Sequence, residues 1–219
     1  MAWRDRDAPA VRRSLPAGFI APCLPTRGQE VPTGPLWIHE IKHDGFRFIC
    51  RRDGDRVRIF TRRGNDWTER VPAVVEAMRA LPGRSATIDG EAVICRPDGL
   101  SDFDALRLAL ARGDAPGAFL YAFDLLELDG QDVRRQPWEA RRKALTRLLQ
   151  RSPPGLQVSE HMDGQEDGRA VFRAACELGL EGIVSKKRTA PYRSGRSPDW
   201  IKVKNPSAPA VTRVLEEHA

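Results

Sequence analysis

An α+β fold of antiparallel sheets with flanking helices is predicted by three observations. Short runs of apolar and β-favouring residues mix with helical periodicities but never settle into a regular βαβ alternation. Several of these runs are closed by Asp-Gly pairs, Asp44-Gly45, Asp53-Gly54 and Asp129-Gly130, which are turn signals. No GxxxxGK[ST] motif occurs, so the P-loop mode of phosphate binding is excluded. With 219 residues and 41% hydrophobic content, the chain is long and apolar enough to build a proper core.

Taken in order, residues 1–35 carry Pro9, Pro16, Pro22, Pro25, Pro32 and Pro35 and are expected to form an extended arm, not a helix. The folded body is expected over 36–205. Leu36–Lys42, Phe46–Arg52 and Arg56–Thr61 predict three strands in an antiparallel meander. Glu69–Leu81 has Val71, Val74, Val75, Met78 and Leu81 at helical spacing, with Pro72 tolerable in the first turn. Thr87–Cys95 reads as a strand. Ser101 with Asp104 resembles a capping box opening a helix through Leu110. Phe119–Leu128 is a mostly apolar strand, and Trp138–Leu149 and Gly168–Leu178 are amphipathic helices. The last third supplies strands at Leu156–Glu160, Gly182–Lys186 and Trp200–Val203. No internal repeat or low-complexity tract is present.

The balance of 36 Lys+Arg against 30 Asp+Glu gives a net charge of +6, which permits a polyanionic partner without requiring one. Cys23, Cys50, Cys95 and Cys176 make no CxxC pair and the four histidines make no HxxxH pair, so neither a zinc site nor a disulfide framework is indicated. The apolar stretch from Leu15 to Leu24 is broken by Pro16 and Pro22. No membrane span is expected, and the expected location is the cytoplasm, in association with the nucleoid.

Three lysine-bearing clusters stand out: Lys42-His43-Asp44-Gly45-Phe46-Arg47, Glu181-Gly182-Ile183-Val184-Ser185-Lys186 and Trp200-Ile201-Lys202-Val203-Lys204. A lysine attacks as a nucleophile only when neutral, and its reference pKa of about 10.4 makes that form cost about 4 kcal/mol at neutral pH. Nearby cations and partial burial lower the cost. Lys202 and Lys204 lie two apart on a strand, so both point to one face. Such a pair repels unless an anion sits between them; the other explanation is an edge strand defended by lysines. From Lys186 to Lys204, the cations Lys186, Lys187, Arg188, Arg193, Arg196, Lys202 and Lys204 face a single acid, Asp199, a run suited to a phosphate backbone or to a solvated loop.

In this order the three clusters resemble motifs I, IV and V of the covalent nucleotidyltransferases, the superfamily of ATP-dependent DNA ligases, RNA ligases and mRNA capping enzymes. Asp89-Gly90-Glu91, Phe123-Asp124-Leu125-Leu126 and Thr61-Arg62-Arg63-Gly64 extend the resemblance. The loop Tyr192-Arg193-Ser194-Gly195-Arg196 makes bacterial end-joining ligases of the D type the most similar subgroup. The resemblance implies a ligase adenylation fold in which Lys42 attacks the α-phosphate of ATP and carries AMP. Arg47 would hold ribose or phosphate, with Lys202 and Lys204 as further cations, and the backbone of Glu40 and Ile41 would lie at the adenine edge. Phe123 and Val184 would sandwich the base, Glu91 would contact the ribose, and Arg62 the 5′-phosphate of a nick. Glu181 would engage Mg2+ or Mn2+. Arg63 stands where the family usually has Asn. Each residue also has an ordinary explanation: Phe123 as core, Asp89 and Glu91 as turn residues, and Glu181 as a surface carboxylate past a helix end.

Family members follow motif V with an OB-fold domain. Here 206–219 is expected to be a tail at that hinge, with the OB domain absent and complete ligation by this chain alone poor. The implied partners are nicked duplex DNA in break repair and, as further candidates, a Ku-type end-binding protein or a separate OB-fold or polymerase module. The competing expectations are an RNA ligase or GTP-using capping enzyme, and a non-catalytic nucleotide- or DNA-binding module.

Overall fold

In a computed structural model, residues 17–151, 153–164 and 168–209 are described. The chain runs β1 (Cys23–Arg27), β2 (Trp37–Ile41), β3 (Phe46–Asp53), β4 (Arg56–Thr61), a 3-10 turn (Thr68–Arg70), α1 (Pro72–Arg79), β5 (Ser85–Val93), α2 (Phe103–Arg112) and β6 (Phe119–Leu128). It continues through β7 (Gln131–Asp132), α3 (Trp138–Leu149), β8 (Leu156–Val158), β9 (His161–Asp163), α4 (Gly168–Glu177), β10 (Gly182–Lys187) and β11 (Gly195–Lys204).

The strands form two sheets. The first has the order β1-β11-β10-β2-β9, and the second β4-β3-β5-β6-β7 with β8 added beside β6. Most pairings are antiparallel; β1 with β11 and β6 with β8 are parallel. Alternation along β3 shows how the layers assemble. Phe48 and Cys50 face a large core closed by α1, α2 and α3, whereas Ile49 faces a smaller core with Cys23, Phe60, Leu126, Tyr192 and Trp200. That smaller core lies between the sheets. The outer face of the first sheet buries Ile183 and Val203 against Val171 and Ala175 of α4.

The expected α+β class with antiparallel sheets is observed. Half of the meander is: β3 and β4 pair antiparallel across Asp53-Gly54 in the second sheet, but β2 pairs with β10 and β9 in the first. Between β2 and β3, Lys42 to Gly45 carry the chain from one sheet to the other, so the Asp44-Gly45 signal marks a crossover, not a hairpin. Residues 23–27, inside the segment expected to be an arm, are extended but form an edge strand of the first sheet, where Pro25 falls at a register shift. Residues 1–16 of that segment and 210–219 of the expected tail lie outside the described residues. Helix α2 is capped by Asp102, whose side chain accepts from the Ala105 N–H (2.8 Å), one residue later than the Ser101 start. The helix expected from Glu69 divides at Val71 into a 3-10 turn and α1, because Pro72 occupies the first helical position. Strand β11 begins at Gly195, five residues before Trp200, taking up the end of the Tyr192–Arg196 loop. Strand β8 ends at Val158, two residues before Glu160.

Candidate active site

A cleft of about 280 Å³ opens between the two sheets, and every site residue expected from the sequence lines it: Glu40, Ile41, Lys42, Arg47, Arg62, Glu91, Phe123, Glu181, Val184, Lys202 and Lys204. Strand register explains the convergence. Across the first sheet Glu40 pairs with Val184 and Val184 with Lys202; two residues along, Gly182 pairs with Lys204 and Lys186 with Trp200. The period of two sends all of these toward the second sheet. There Arg47 of β3 lies opposite Glu91 of β5.

Two glycines permit this approach. Gly90 sits inside β5, where a β-carbon would come within 2.7 Å of the Leu120 side chain and the Tyr121 carbonyl; Asp89-Gly90-Glu91 is therefore a tightly packed strand, not a turn. Gly182 has φ +132°, and a β-carbon there would lie 2.1 Å from the Val203 carbonyl. Next to it, the Lys42 N–H donates to the Gly182 carbonyl (2.9 Å) and the Asn205 N–H to that of Glu181 (3.0 Å). These bonds fix Lys42, Glu181 and the end of β11 against one another.

Lys42 Nζ donates to Glu181 Oε2, and Lys204 Nζ lies 2.8 Å from Glu181 Oε1. The carboxylate thus bridges two lysines. Burial opposes its charge, but Lys42 and Lys204 prevail and hold it below the usual carboxylate range. Lys202 has no ion-pair partner among the described residues; burial and then the charges of Lys42, Lys204, Arg62 and Arg196 push its ammonium below the ordinary lysine value. The Lys-x-Lys pair is therefore divided, with Lys204 neutralised by Glu181 and Lys202 without an ion-pair partner among the described residues.

Arg47 is not a free cation. It binds Asp89 in a two-pronged contact (2.9 and 2.6 Å), and the Tyr192 hydroxyl donates to the same carboxylate (2.6 Å) while accepting from the Cys23 N–H (2.9 Å). The guanidinium lies 5.2 Å from the Phe123 ring centre. Glu91 is pushed up to about 7, mainly by burial and against the pull of Lys42 and Arg47, with Glu181 and Asp89 adding repulsion. His43 lines the same cleft, stacked on Tyr121 with ring centres 4.0 Å apart; burial and the charge of Lys42 push it down to about 4, so it is neutral.

Phe123 presents its ring at the cleft and packs edge-on against Trp200 (6.1 Å), which makes it part of both core and cleft wall. Among the described residues no group of three or more His, Cys, Asp or Glu side chains could hold a metal by itself. Glu40, Glu91 and Glu181 are the carboxylates lining the cleft; Glu181, the one expected to engage a metal, is the one shared by Lys42 and Lys204.

The basic run from Lys186 to Lys204 is less exposed to partners than its sequence suggests. Lys186 is buried against Glu40 (2.6 Å), Lys187 pairs with Asp199 (2.9 Å), Arg188 with Asp163 (2.5 Å) and Lys204 with Glu181. Sequence reasoning also missed Asp89 as the partner of Arg47, and Arg141 and Arg142 of α3. Alternation with Glu91 could have revealed Asp89. Nothing local marks Arg142, whose carboxylate neighbour Glu40 is remote in sequence.

Residues 30–204 match the family described as ATP dependent DNA ligase domain, and the chain belongs to that family. It is 39% identical over 187 residues to the multifunctional non-homologous end joining protein LigD of Pseudomonas aeruginosa, which covers 85% of this chain and 22% of that protein. A probable DNA ligase of Sorangium cellulosum is 39% identical over 176 residues, 75% of this chain and 32% of that one. The chain thus spans about a fifth and a third of these two relatives. Among solved structures, a mycobacterial DNA ligase D complexed with ATP and MES superposes with a TM-score of 0.70 at 30% identity, covering 84% of this chain and 60% of that one. The ligase domain from M. tuberculosis LigD gives 0.70 at 31%, with the same coverage.

Proposed function

We propose that this chain is the adenylate-forming module of an ATP-dependent DNA ligase. Lys42 Nζ attacks the α-phosphorus of ATP, an N–P bond forms, the P–O bond to the β-phosphate breaks, and pyrophosphate leaves. The lysyl-AMP then passes to the 5′-phosphate of a nick. The observation that carries this reading is the arrangement at Glu181: one carboxylate bridges Lys42 and Lys204, with Lys202 unpaired beside them. A Mg2+ or Mn2+ ion would be held by Glu181 and would supply charge neutralisation for the phosphates. The Lys42 ammonium gives its proton to solvent before it attacks, and Lys202 and Lys204 meet the phosphate charge.

The base belongs between Phe123 and Val184. Glu40 lies at the purine edge with its backbone, as the family resemblance implies. Glu91 is assigned to the ribose and Arg62, exposed at the cleft mouth, to the nick phosphate. Nicked duplex DNA in end-joining repair is the proposed substrate. A Ku-type protein, an OB-fold module or a polymerase module is the proposed partner set, and the nucleoid the proposed location. No described helix is long and apolar enough to cross a membrane. The test is intact mass after incubation with ATP and magnesium: wild type gains one AMP and Lys42→Ala gains none. Equal gain on both proteins would overturn the assignment.

A further inference from the structure

Arg47 stands between two carboxylates, and a tyrosine from the other sheet decides which one it binds. In the pairing of β3 with β5, Arg47 lies directly opposite Glu91, whereas Asp89 is the partner of Ile49, one diagonal step away. The guanidinium nonetheless makes its two-pronged contact with Asp89 and leaves Glu91, which lines the cleft, without an ion-pair partner among the described residues. Asp89 is fully buried and receives a third hydrogen bond from the Tyr192 hydroxyl (2.6 Å), on the same oxygen that Arg47 Nη2 reaches. Tyr192 comes from the connection between β10 and β11, is 4% exposed and is fixed on three sides. Its N–H donates to the Arg134 carbonyl (2.8 Å), its ring stands edge-on to Trp200 (5.8 Å), and its hydroxyl accepts from the Cys23 N–H (2.9 Å). A buried tyrosine hydroxyl needs a partner of some kind. Here the partner is a carboxylate that an arginine already holds, so the hydroxyl fixes the plane of that carboxylate and the direction of the ion pair.

We propose that Tyr192 is a positioning residue for ribose selection: by donating to Asp89 it keeps Arg47 turned diagonally onto that carboxylate, and so leaves Glu91 to hydrogen-bond the ribose hydroxyls of the bound nucleotide. This rests on the nucleotide-cleft reading above. Without the hydroxyl, Asp89 loses one of its three donors and its plane is no longer set. Arg47 then turns to Glu91, its direct opposite in the sheet, and the ribose loses its partner. Tyr192 does not line the cleft, so its effect on the sugar runs through Asp89, Arg47 and Glu91.

The test compares equilibrium binding of ATP with that of 2′,3′-dideoxyadenosine triphosphate, which lacks both ribose hydroxyls, in a Lys42→Ala background so that no lysyl-AMP forms. Hydrogen bonds from the ribose to a cleft carboxylate predict a preference for ATP of about tenfold. Adding Tyr192→Phe is expected to reduce that preference about fivefold or more while changing the affinity for the dideoxy nucleotide by less than about twofold. A role in packing alone would weaken both nucleotides together, and that result overturns the inference. Asp89→Asn removes the charge that draws Arg47 away from Glu91 and decides the matter if Tyr192→Phe does not fold; the same fall in the ratio is expected. Equal binding of the two nucleotides before either substitution is added, or an unchanged ratio after it, overturns this inference alone. Failure of wild type and of the Lys42→Ala protein to bind either nucleotide overturns the cleft reading and this inference with it.

Discussion

At the residue scale, the site turns on how each charge is neutralised before substrate arrives. Glu181 holds Lys42 and Lys204, and Asp89 holds Arg47; Lys202 and Arg62 have no ion-pair partner among the described residues and are the proposed phosphate contacts. Lys42→Ala should abolish covalent AMP while leaving ATP affinity within a few fold, as titration of the variant by calorimetry will show. Glu91 gives a pH signature. Its carboxyl is held near 7 in the folded protein, above its usual value of 4.5, so the folded state retains a proton that the unfolded chain releases. That contribution to stability is full below about 4.5 and is lost as pH rises through about 7. Denaturation with urea across pH 4.5–8 should show Glu91→Gln gaining relative to wild type with rising pH. A constant difference would contradict it. That Lys42, the proposed nucleophile, and its motif neighbours share one cleft was legible because they form short contiguous strings. Asp89 as an anchor, the Glu40–Lys186 pair and Arg142 were not, since each is defined by a partner on a distant strand or helix.

At the element scale, α3 is locked to β6 by Arg141, which binds Asp124 through Nε and Nη2 (2.7 and 2.9 Å) and donates to the carbonyls of Gln136 and Ala190. Both side chains are fully buried. Truncating one leaves an uncompensated charge, so Asp124→Ala should cost about 3–5 kcal/mol in urea unfolding, and Asp124→Leu with Arg141→Met should recover most of it. A loss below 1 kcal/mol for the single variant would contradict this role. Strand β6 and helix α3 were readable to the residue from their apolar runs. Their ion pair was not, because an arginine on an amphipathic helix ordinarily faces water. Strand β2 illustrates the other limit. Its sequence reads as a strand, but pairing choice depends on distant β10, and the Asp44-Gly45 signal suits a hairpin and a sheet-to-sheet crossover alike.

At the scale of the whole molecule, the net charge of +6 overstates what is available to DNA. Of the seven cations between Lys186 and Lys204, four are consumed by internal pairs, leaving Arg193, Arg196 and Lys202 without ion-pair partners among the described residues. If these three and Arg62 carry the phosphate contacts, the logarithm of affinity for a nicked duplex should fall against the logarithm of salt with a slope of about −4. A slope of about −7 would mean that the internal pairs open on binding. The two-sheet architecture matters for the same reason as the charge pairing: the proposed site sits where the sheets face each other, and neither sheet carries all of its residues. The most direct test of that claim is peptide mapping by tandem mass spectrometry after reaction with ATP and magnesium. AMP is expected on Lys42, lost in Lys42→Ala without transfer to Lys202 or Lys204; adenylation of any other lysine would contradict a site assembled from both sheets around Lys42.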